Sequence, residues 1–266
     1  AEDYAHWQSM VKRAHGIVLV TGPTGSGKTT SLYSTLKQLA TDSVNVSTVE
    51  DPIEMVVDSF NQSQIQPAID FDFAAGIRTL MRQDPDIIMV GEIRDQATAE
   101  MAVQAALTGH LVLSTLHTND APTAISRLLD LKMPAHLIKA TLNGVMAQRL
   151  VRTLCPDCRS EVDCDREAWH EMVGSAERVP PTKVYQPGGC LECRNTGYLG
   201  REGIYEIMPL TNALLTYISS ESDIQEIRQA AISQGMKTLR MAGAEKVAAG
   251  ITSMEEVLRV TPELGR

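Results

Sequence analysis

Near the start of the chain, Gly22-Pro23-Thr24-Gly25-Ser26-Gly27-Lys28-Thr29 fits the pattern G-x-x-x-x-G-K-[ST], and Thr30 follows it. The apolar run Ile17-Val18-Leu19-Val20-Thr21 leads into it, and Leu32, Tyr33, Leu36 and Leu39 follow at helical spacing. A strand, a glycine-rich loop and a helix in that order leave the backbone little choice. Glycines permit conformations in which successive N–H groups turn inward, and the helix N-terminus adds about half a positive charge at the same place. Such a loop cradles phosphate: Lys28 can reach the β- and γ-phosphates, and the Thr29 hydroxyl can ligate Mg²⁺. Residues 22–30 are therefore expected to bind a nucleotide.

Short apolar runs recur at 45–49, 86–91 and 111–116, and helical patterns separate or follow them at about 73–82, 96–108 and 120–131. Strands alternating with helices imply βαβ units and a parallel sheet covered on both faces, with ligands bound beyond the carboxyl ends of the strands. From about residue 134 the strand signal fades. Residues 134–150 read as helical, 155–203 is rich in Cys, Pro and Gly, and 211–260 returns to helical patterns. The expected organisation is an α/β core over 1–150, a cysteine-bearing insertion over 151–205 and a helical region over 206–266.

Composition narrows the function. An apolar fraction of 43% supplies a sizeable core and excludes a disordered chain. The net charge of −9, with two Trp, six Tyr and three Phe in 266 residues, argues against nucleic-acid binding and against a polybasic membrane clamp. No apolar run reaches the 18 or more residues of a transmembrane span and no secretion signal is visible, so a soluble, cytoplasmic protein is expected.

Three more segments end apolar runs with polar residues, which places them on the phosphate side of the sheet. They are Val49-Glu50-Asp51-Pro52-Ile53-Glu54, Gly91-Glu92-Ile93-Arg94-Asp95 and Ser114-Thr115-Leu116-His117-Thr118. Hydrolysing a γ-phosphate needs a positioned water, a metal and stabilisation of charge on the equatorial oxygens. Glu92 is the best placed carboxylate to hold Mg²⁺ or orient the water. Glu50 is the second, although Asp51 beside it is an alternative acid. His117 can donate a hydrogen bond to the γ-phosphate and so sense hydrolysis. His110 precedes its strand and should lie nearer the opposite edge, where a purely structural role is an equal reading.

Cys155-Pro156-Asp157-Cys158 and Cys190-Leu191-Glu192-Cys193 bracket residues 159–189. In a reducing compartment two C-x-x-C knuckles favour a metal over disulfides, and four thiolates match a tetrahedral structural zinc site. Gly188 and Gly189 suit the tight backbone of a knuckle. Cys164 is left over as an ordinary thiol.

Together these segments resemble the carboxy-terminal ATPase half of the type II secretion and type IV pilus assembly ATPases (GspE/PilB type), nearly end to end. Residues 22–29 resemble their Walker A loop and residues 49–54 their aspartate box. Met81-Arg82-Gln83-Asp84-Pro85-Asp86 through Asp95 resembles their atypical Walker B, with Glu92 in the usual Asp position. Thr108-Gly109-His110 through Leu116-His117-Thr118-Asn119 resembles their histidine box, which makes His110 a functional candidate as well. The four cysteines are similar to those of secretion and pilus-extension members. Residues 148–156 and 255–261 look more like secretion than pilus members.

The resemblance implies a RecA-like P-loop NTPase core of α/β class, a tetracysteine zinc-binding insertion and a helical C-terminal region. It implies an ATP-hydrolysing cytoplasmic motor using ATP, Mg²⁺ and Zn²⁺, with type II secretion as the work done and pilus extension as the alternative. A homo-hexameric ring is implied, docked on inner-membrane secretion or pilus platform proteins, so that membrane contact is indirect. Family members place another domain before the phosphate loop, whose arginines reach the nucleotide. Here residues 1–21 precede Gly22, so the sequence is expected to be either a truncated piece of a longer protein or a protein lacking that amino-terminal half. Two other readings are a nucleic-acid translocase, which the charge and sparse aromatics disfavour, and a nucleotide-binding zinc scaffold without turnover.

Overall fold

The computed structural model describes residues 2–174 and 179–263. In chain order the first elements are α1 (Glu2–Val11), β1 (Gly16–Thr21), α2 (Lys28–Leu39), β2 (Val46–Glu50), β3 (Asn61–Gln64) and α3 (Phe73–Leu80). Next come β4 (Ile87–Val90), α4 (Gln96–Leu107), β5 (Leu111–Leu116), α5 (Ala121–Asp130), α6 (Ala135–Thr141) and β6 (Leu142–Leu154). The remainder is β7 (Ser160–Asp163), α7 (Arg166–Val173), β8 (Lys183–Gln186), β9 (Tyr198–Pro209), α8 (Asn212–Leu215), α9 (Ile224–Ser233), α10 (Leu239–Ala248) and α11 (Met254–Val260).

The main sheet runs β3-β2-β4-β5-β1-β6-β9, and the pairs from β3 through β6 are parallel. Strands β1, β2, β4 and β5 are buried at every residue, as a sheet covered on both faces requires. Helix α2 lays Leu32, Tyr33 and Leu36 against β1 and β5. Full burial of each leucine is worth about 1.5–3 kcal/mol. Helix α4 approaches β1 and β5 through Ala99, Ala102, Ala105 and Ala106, small side chains that let it lie close. Asp72, Asp95 and Asp120 start α3, α4 and α5 by accepting from the backbone N–H of Ala75, Thr98 and Thr123 at 2.8, 2.8 and 2.9 Å. Each such cap contributes about 1 kcal/mol. Because these strands point one way, Gly22, Asp51, Gly91 and His117 all leave the sheet at its carboxyl edge.

The helical reading of 134–150 is corrected. Only Ala135–Thr141 is helical, and from Leu142 the chain is a strand whose first residues pair in parallel with β1, Leu142 opposite Ile17 and Ala147 opposite Thr21. Burial of Leu142 through Arg149 is continuous, so no period of two marks the strand, and its Leu, Met, Ala and Gln favour helix locally. Tertiary pairing overrides that preference: Gly144 is pressed between Met10 and the backbone of Met208, where no Cβ fits. β3, with the sequence Asn-Gln-Ser-Gln, and the glycine-containing β9 also lack an apolar signature.

Contacts divide the chain into two units. The first takes Ala1–Ala147 and Ile207–Gln234, and so contains the phosphate loop, its sheet and helices α8 and α9. The second takes Gln148–Glu206 and Gly235–Arg266. The boundaries read from the sequence follow chain order, whereas each unit draws on two separate stretches. Inside the second unit β7 and β8 pair antiparallel with α7 between them in sequence, and α7 packs on α10 and α11. Glu256 is fully buried there, taking bonds from Arg152 Nη2 at 2.7 Å, the Arg152 backbone N–H at 3.0 Å and Arg259 Nη2 at 2.7 Å. Arg152 also lies 4.0 Å above the Tyr198 ring.

Candidate nucleotide site and cysteine cluster

The loop after β1 turns through Gly25 at φ 79° and Gly27 at φ 85°, a left-handed region where a side chain is strained. Gly27 is the N-cap of α2 and supplies no side-chain oxygen, unlike the aspartates that cap α3, α4 and α5. The first N–H groups of α2 are thus left without a side-chain cap, in a concave loop. Lys28 folds back over it, donating from Nζ to the carbonyl oxygens of Gly22 at 2.8 Å and Pro23 at 3.1 Å. Ser26 Oγ is buried with no partner among the described residues, while Pro23, Thr24, Gly25 and Thr30 are exposed. A phosphate oxygen there would satisfy both the uncapped N–H groups and the orphaned hydroxyl. Thr29 Oγ1 donates to Glu54 Oε1 at 3.1 Å, which joins a hydroxyl and a carboxylate oxygen in a donor set that suits Mg²⁺.

Glu50 ends β2 and is buried. Its carboxylate accepts from Tyr33 at 2.6 Å, Thr48 Oγ1 at 2.6 Å and Gln62 Nε2 at 3.2 Å. Burial, together with the Glu50 carboxylate, pushes the Tyr33 hydroxyl well above its ordinary range, so Tyr33 remains a donor. Gln62 additionally donates to the Met55 carbonyl at 2.9 Å and accepts from Val57 N–H at 2.7 Å, tying residues 55–57 to Glu50. Asp51, the alternative acid, is more exposed, with Arg94 Nη1 at 4.0 Å.

Glu92 and His117 are brought together by the pairing of β4 with β5, in which Val90 stands opposite Ser114. Ile93 N–H donates to the Thr115 carbonyl at 3.0 Å and Thr115 Oγ1 to the Gly91 carbonyl at 2.8 Å, which locks the two strand exits side by side. His117 Nε2 then lies 3.2 Å from Glu92 Oε2, while Arg94 takes the other carboxylate oxygen. Burial pushes the Glu92 carboxyl up, but the bonds and charges of Arg94 and His117 outweigh it and hold it below the usual range. Glu92 is therefore an anion at neutral pH.

His110 stands elsewhere. It precedes β5 at the amino edge of the sheet, its Nδ1 2.9 Å from the Ala105 carbonyl and 3.1 Å from Thr108 Oγ1. Its own carbonyl accepts from Gly16 N–H at 3.1 Å. The ring thus closes the end of α4, and the direction of the strand separates it from the loop after β1. Gln62 and Tyr33 belong to the surroundings of Glu50 with no sequence signal of their own: Tyr33 reads as a core position of α2 and Gln62 as part of a polar stretch.

In the second unit the Sγ atoms of Cys155, Cys158, Cys190 and Cys193 all lie within 4.8 Å of one another. The separations are 3.8 Å for Cys155 to Cys190 and 3.7 Å for both Cys158 to Cys193 and Cys190 to Cys193. Four sulfurs at about 2.3 Å from a tetrahedral ion are about 3.8 Å apart, so the cluster fits one metal ion. Cys193 Sγ accepts from the N–H groups of Cys190 at 3.4 Å and Gly197 at 3.2 Å. Burial pushes its thiol up, but those donors and the neighbouring thiols draw it down to about 6, whereas burial and the neighbouring thiols hold Cys155 and Cys158 above the ordinary thiol range. Gly188 lies so close to the Cys158 carbonyl that no side chain fits.

A family model described as type II/IV secretion system protein matches residues 1–259. The chain belongs to that family. Among its relatives in the secretion family are the type IV pilus assembly ATPase TfpB of Acinetobacter baylyi, 60% identical over 96% of this chain and 44% of that protein. The type II secretion system ATPase E of Vibrio cholerae is 48% identical over 99% of this chain and 52% of its own length. The chain thus spans about half the length of these relatives. The pilus retraction motor PilT with bound ADP superposes with a TM-score of 0.71 at 27% identity, covering 97% of this chain and 64% of PilT. The ATPase DotB of Legionella pneumophila gives 0.69 at 27% identity, over 96% and 62%. The fold is the RecA-like α/β arrangement expected, with the cysteine cluster added. Among the described residues no helix is long and apolar enough to cross a membrane.

Proposed function

We propose that this secretion-family chain carries the ATPase site of a cytoplasmic motor that powers type II protein secretion by driving pseudopilus assembly. The observation that carries this reading is the Glu92–His117 pair on the same sheet edge as an uncapped, lysine-covered phosphate loop. Residues 22–30 bind the phosphates of ATP, with Lys28 on the β- and γ-phosphates and the Ser26 hydroxyl and loop N–H groups as further donors. Thr29 and Glu54 would hold Mg²⁺, which would supply neutralisation of the charge on the transferred phosphoryl group. Glu92 orients and polarises the attacking water, and Glu50, fixed by three donors, is the second carboxylate. His117 donates to the γ-phosphate and is released toward Glu92 when that phosphate leaves. His110 acts from the far end of β5, as a positioning residue at the α4 terminus.

Cys155, Cys158, Cys190 and Cys193 hold Zn²⁺ in a closed structural site. Such a site contributes on the order of 10–16 kcal/mol of apparent binding free energy at pH 7, which takes the place of a core around the knuckles. The working form is a homo-hexamer docked on inner-membrane platform proteins, with arginines from outside these residues reaching the nucleotide. Nucleic acid is not a partner.

Type IV pilus assembly is the second reading, and the 60% identity to TfpB favours it. Complementation separates the two. The full-length protein is returned to its own host lacking it, with and without Glu92→Gln, and exported type II substrates and surface pili are both scored. Restored secretion that Glu92→Gln abolishes supports the first reading. Restored pili with unchanged secretion supports the second, and restoration of both functions by Glu92→Gln contradicts an ATP-driven motor.

A further inference from the structure

Asp120 does more than start α5. Its Oδ1 already caps the helix, accepting from Thr123 N–H at 2.9 Å and Thr123 Oγ1 at 2.5 Å. Its Oδ2 accepts from Arg228 Nη2 at 2.8 Å, across 108 positions of sequence, where α9 packs on α5. The Asp120 side chain is 7% exposed and that of Arg228 12%, and Arg228 Nε is enclosed with no partner among the described residues. Burying this pair costs desolvation that a cap does not require. Asp72 and Asp95 cap α3 and α4 with no such ion pair among the described residues.

From Asp120 the contacts lead to the nucleotide site. The Asp120 carbonyl accepts from Thr118 Oγ1 at 3.0 Å, and that hydroxyl lies 2.7 Å from Thr21 Oγ1 at the end of β1. Thr118 N–H also donates to Thr21 Oγ1 at 2.8 Å. His117 sits inside this short stretch, its half-exposed ring in ion-pair contact with Glu92. The backbone on one side of His117 is tied to the start of the phosphate loop and, two residues further, to Arg228. We propose that Arg228 is a positioning residue for His117, acting through Asp120, so that α9 sets how well the His117–Glu92 pair is formed. This rests on the ATPase reading above.

The test measures phosphate release from Mg²⁺-ATP by the full-length protein together with the ¹³Cε1–H resonance of the His117 imidazole. Arg228→Ala is expected to lower kcat between tenfold and a hundredfold, the range that small misplacements of a reacting group produce, with KM for ATP unchanged within about twofold. The His117 resonance moves in the same variant, and Arg228→Lys recovers most of both. If Arg228→Ala fails to fold, Asp120→Asn, which keeps the capping oxygen and removes the charge, is read in the same way. Unchanged kcat, or an unmoved His117 resonance, overturns the proposal. A wild-type protein that releases no phosphate contradicts the ATPase reading instead, and the His117 resonance alone then decides the role of Arg228.

Discussion

His117 Nε2 lies 3.2 Å from Glu92 Oε2, so the two groups expected to watch the γ-phosphate and to orient water are already in contact. Parallel pairing of β4 and β5 makes that contact, since both residues follow strand ends that stand opposite one another. Glu92 is an anion because Arg94 and His117 outweigh the effect of its burial.

Loss of His117 therefore changes both rate and pH dependence. His117→Ala is expected to lower kcat by about 10²-fold, the scale of one positioned proton donor. It also removes one of the influences that hold the Glu92 carboxyl low, so the acid limb of the kcat profile moves to higher pH. A pH series of phosphate release for the two proteins checks both effects, and an unmoved acid limb argues against the pairing.

Gln62 holds the surroundings of Glu50 together without a sequence signal of its own. It donates to Glu50, Tyr33 and the Met55 carbonyl and accepts from Val57 N–H. Gln62→Ala is expected to lower kcat about tenfold with nucleotide affinity retained, because a buried carboxylate loses a donor and its loop loses an anchor. Equilibrium binding of a non-hydrolysable ATP analogue beside steady-state rates separates the two quantities.

Acid stability is set partly by Glu256. Burial pushes its carboxyl up, but Arg259 and Arg152 bring it down to about 2. A folded pKa below the unfolded one gives stability that is present above the ordinary carboxylate range and is lost as pH falls through it toward 2. The arginines are partly exposed, so after screening the contribution at neutral pH is on the order of 2 kcal/mol. Urea midpoints between pH 7 and pH 3 should fall more steeply in the wild type than in Glu256→Gln, which starts lower.

For the cysteine cluster the expectation is one zinc ion per chain by elemental analysis, lost in Cys158→Ser and Cys193→Ser. A strong chelator should lower the thermal midpoint of the wild type and leave the serine variants unchanged. Gly188→Ala should weaken metal retention with all four ligands present, because its Cβ meets the Cys158 carbonyl.

How far the sequence could be read depends on whether local chemistry or distant pairing decides a segment. The loop at 22–30 and the cysteine pairs are legible because spacing alone makes the geometry: one chain segment bends into a concave, glycine-lined loop, and two knuckles bring four sulfurs together. Glu92 and His117 are legible because each follows a buried strand, and parallel strands share an edge. Residues 142–154 are not, since their helix-favouring side chains are overruled by pairing with β1 and by the space Gly144 leaves for Met10. Arg228 is hidden for the same reason: on α9 it looks like any surface cation, and only packing on α5 brings it to Asp120.

Phosphate release from Mg²⁺-ATP, with nucleotide binding followed in parallel, is the decisive assay for the full-length protein, Lys28→Ala and Glu92→Gln. The expected pattern is turnover in the wild type, loss of binding in Lys28→Ala, and binding with turnover reduced by at least about 10²-fold in Glu92→Gln. Tight binding of ATP by the wild type without phosphate release, or turnover by Glu92→Gln equal to the wild type, contradicts a motor driven from this site.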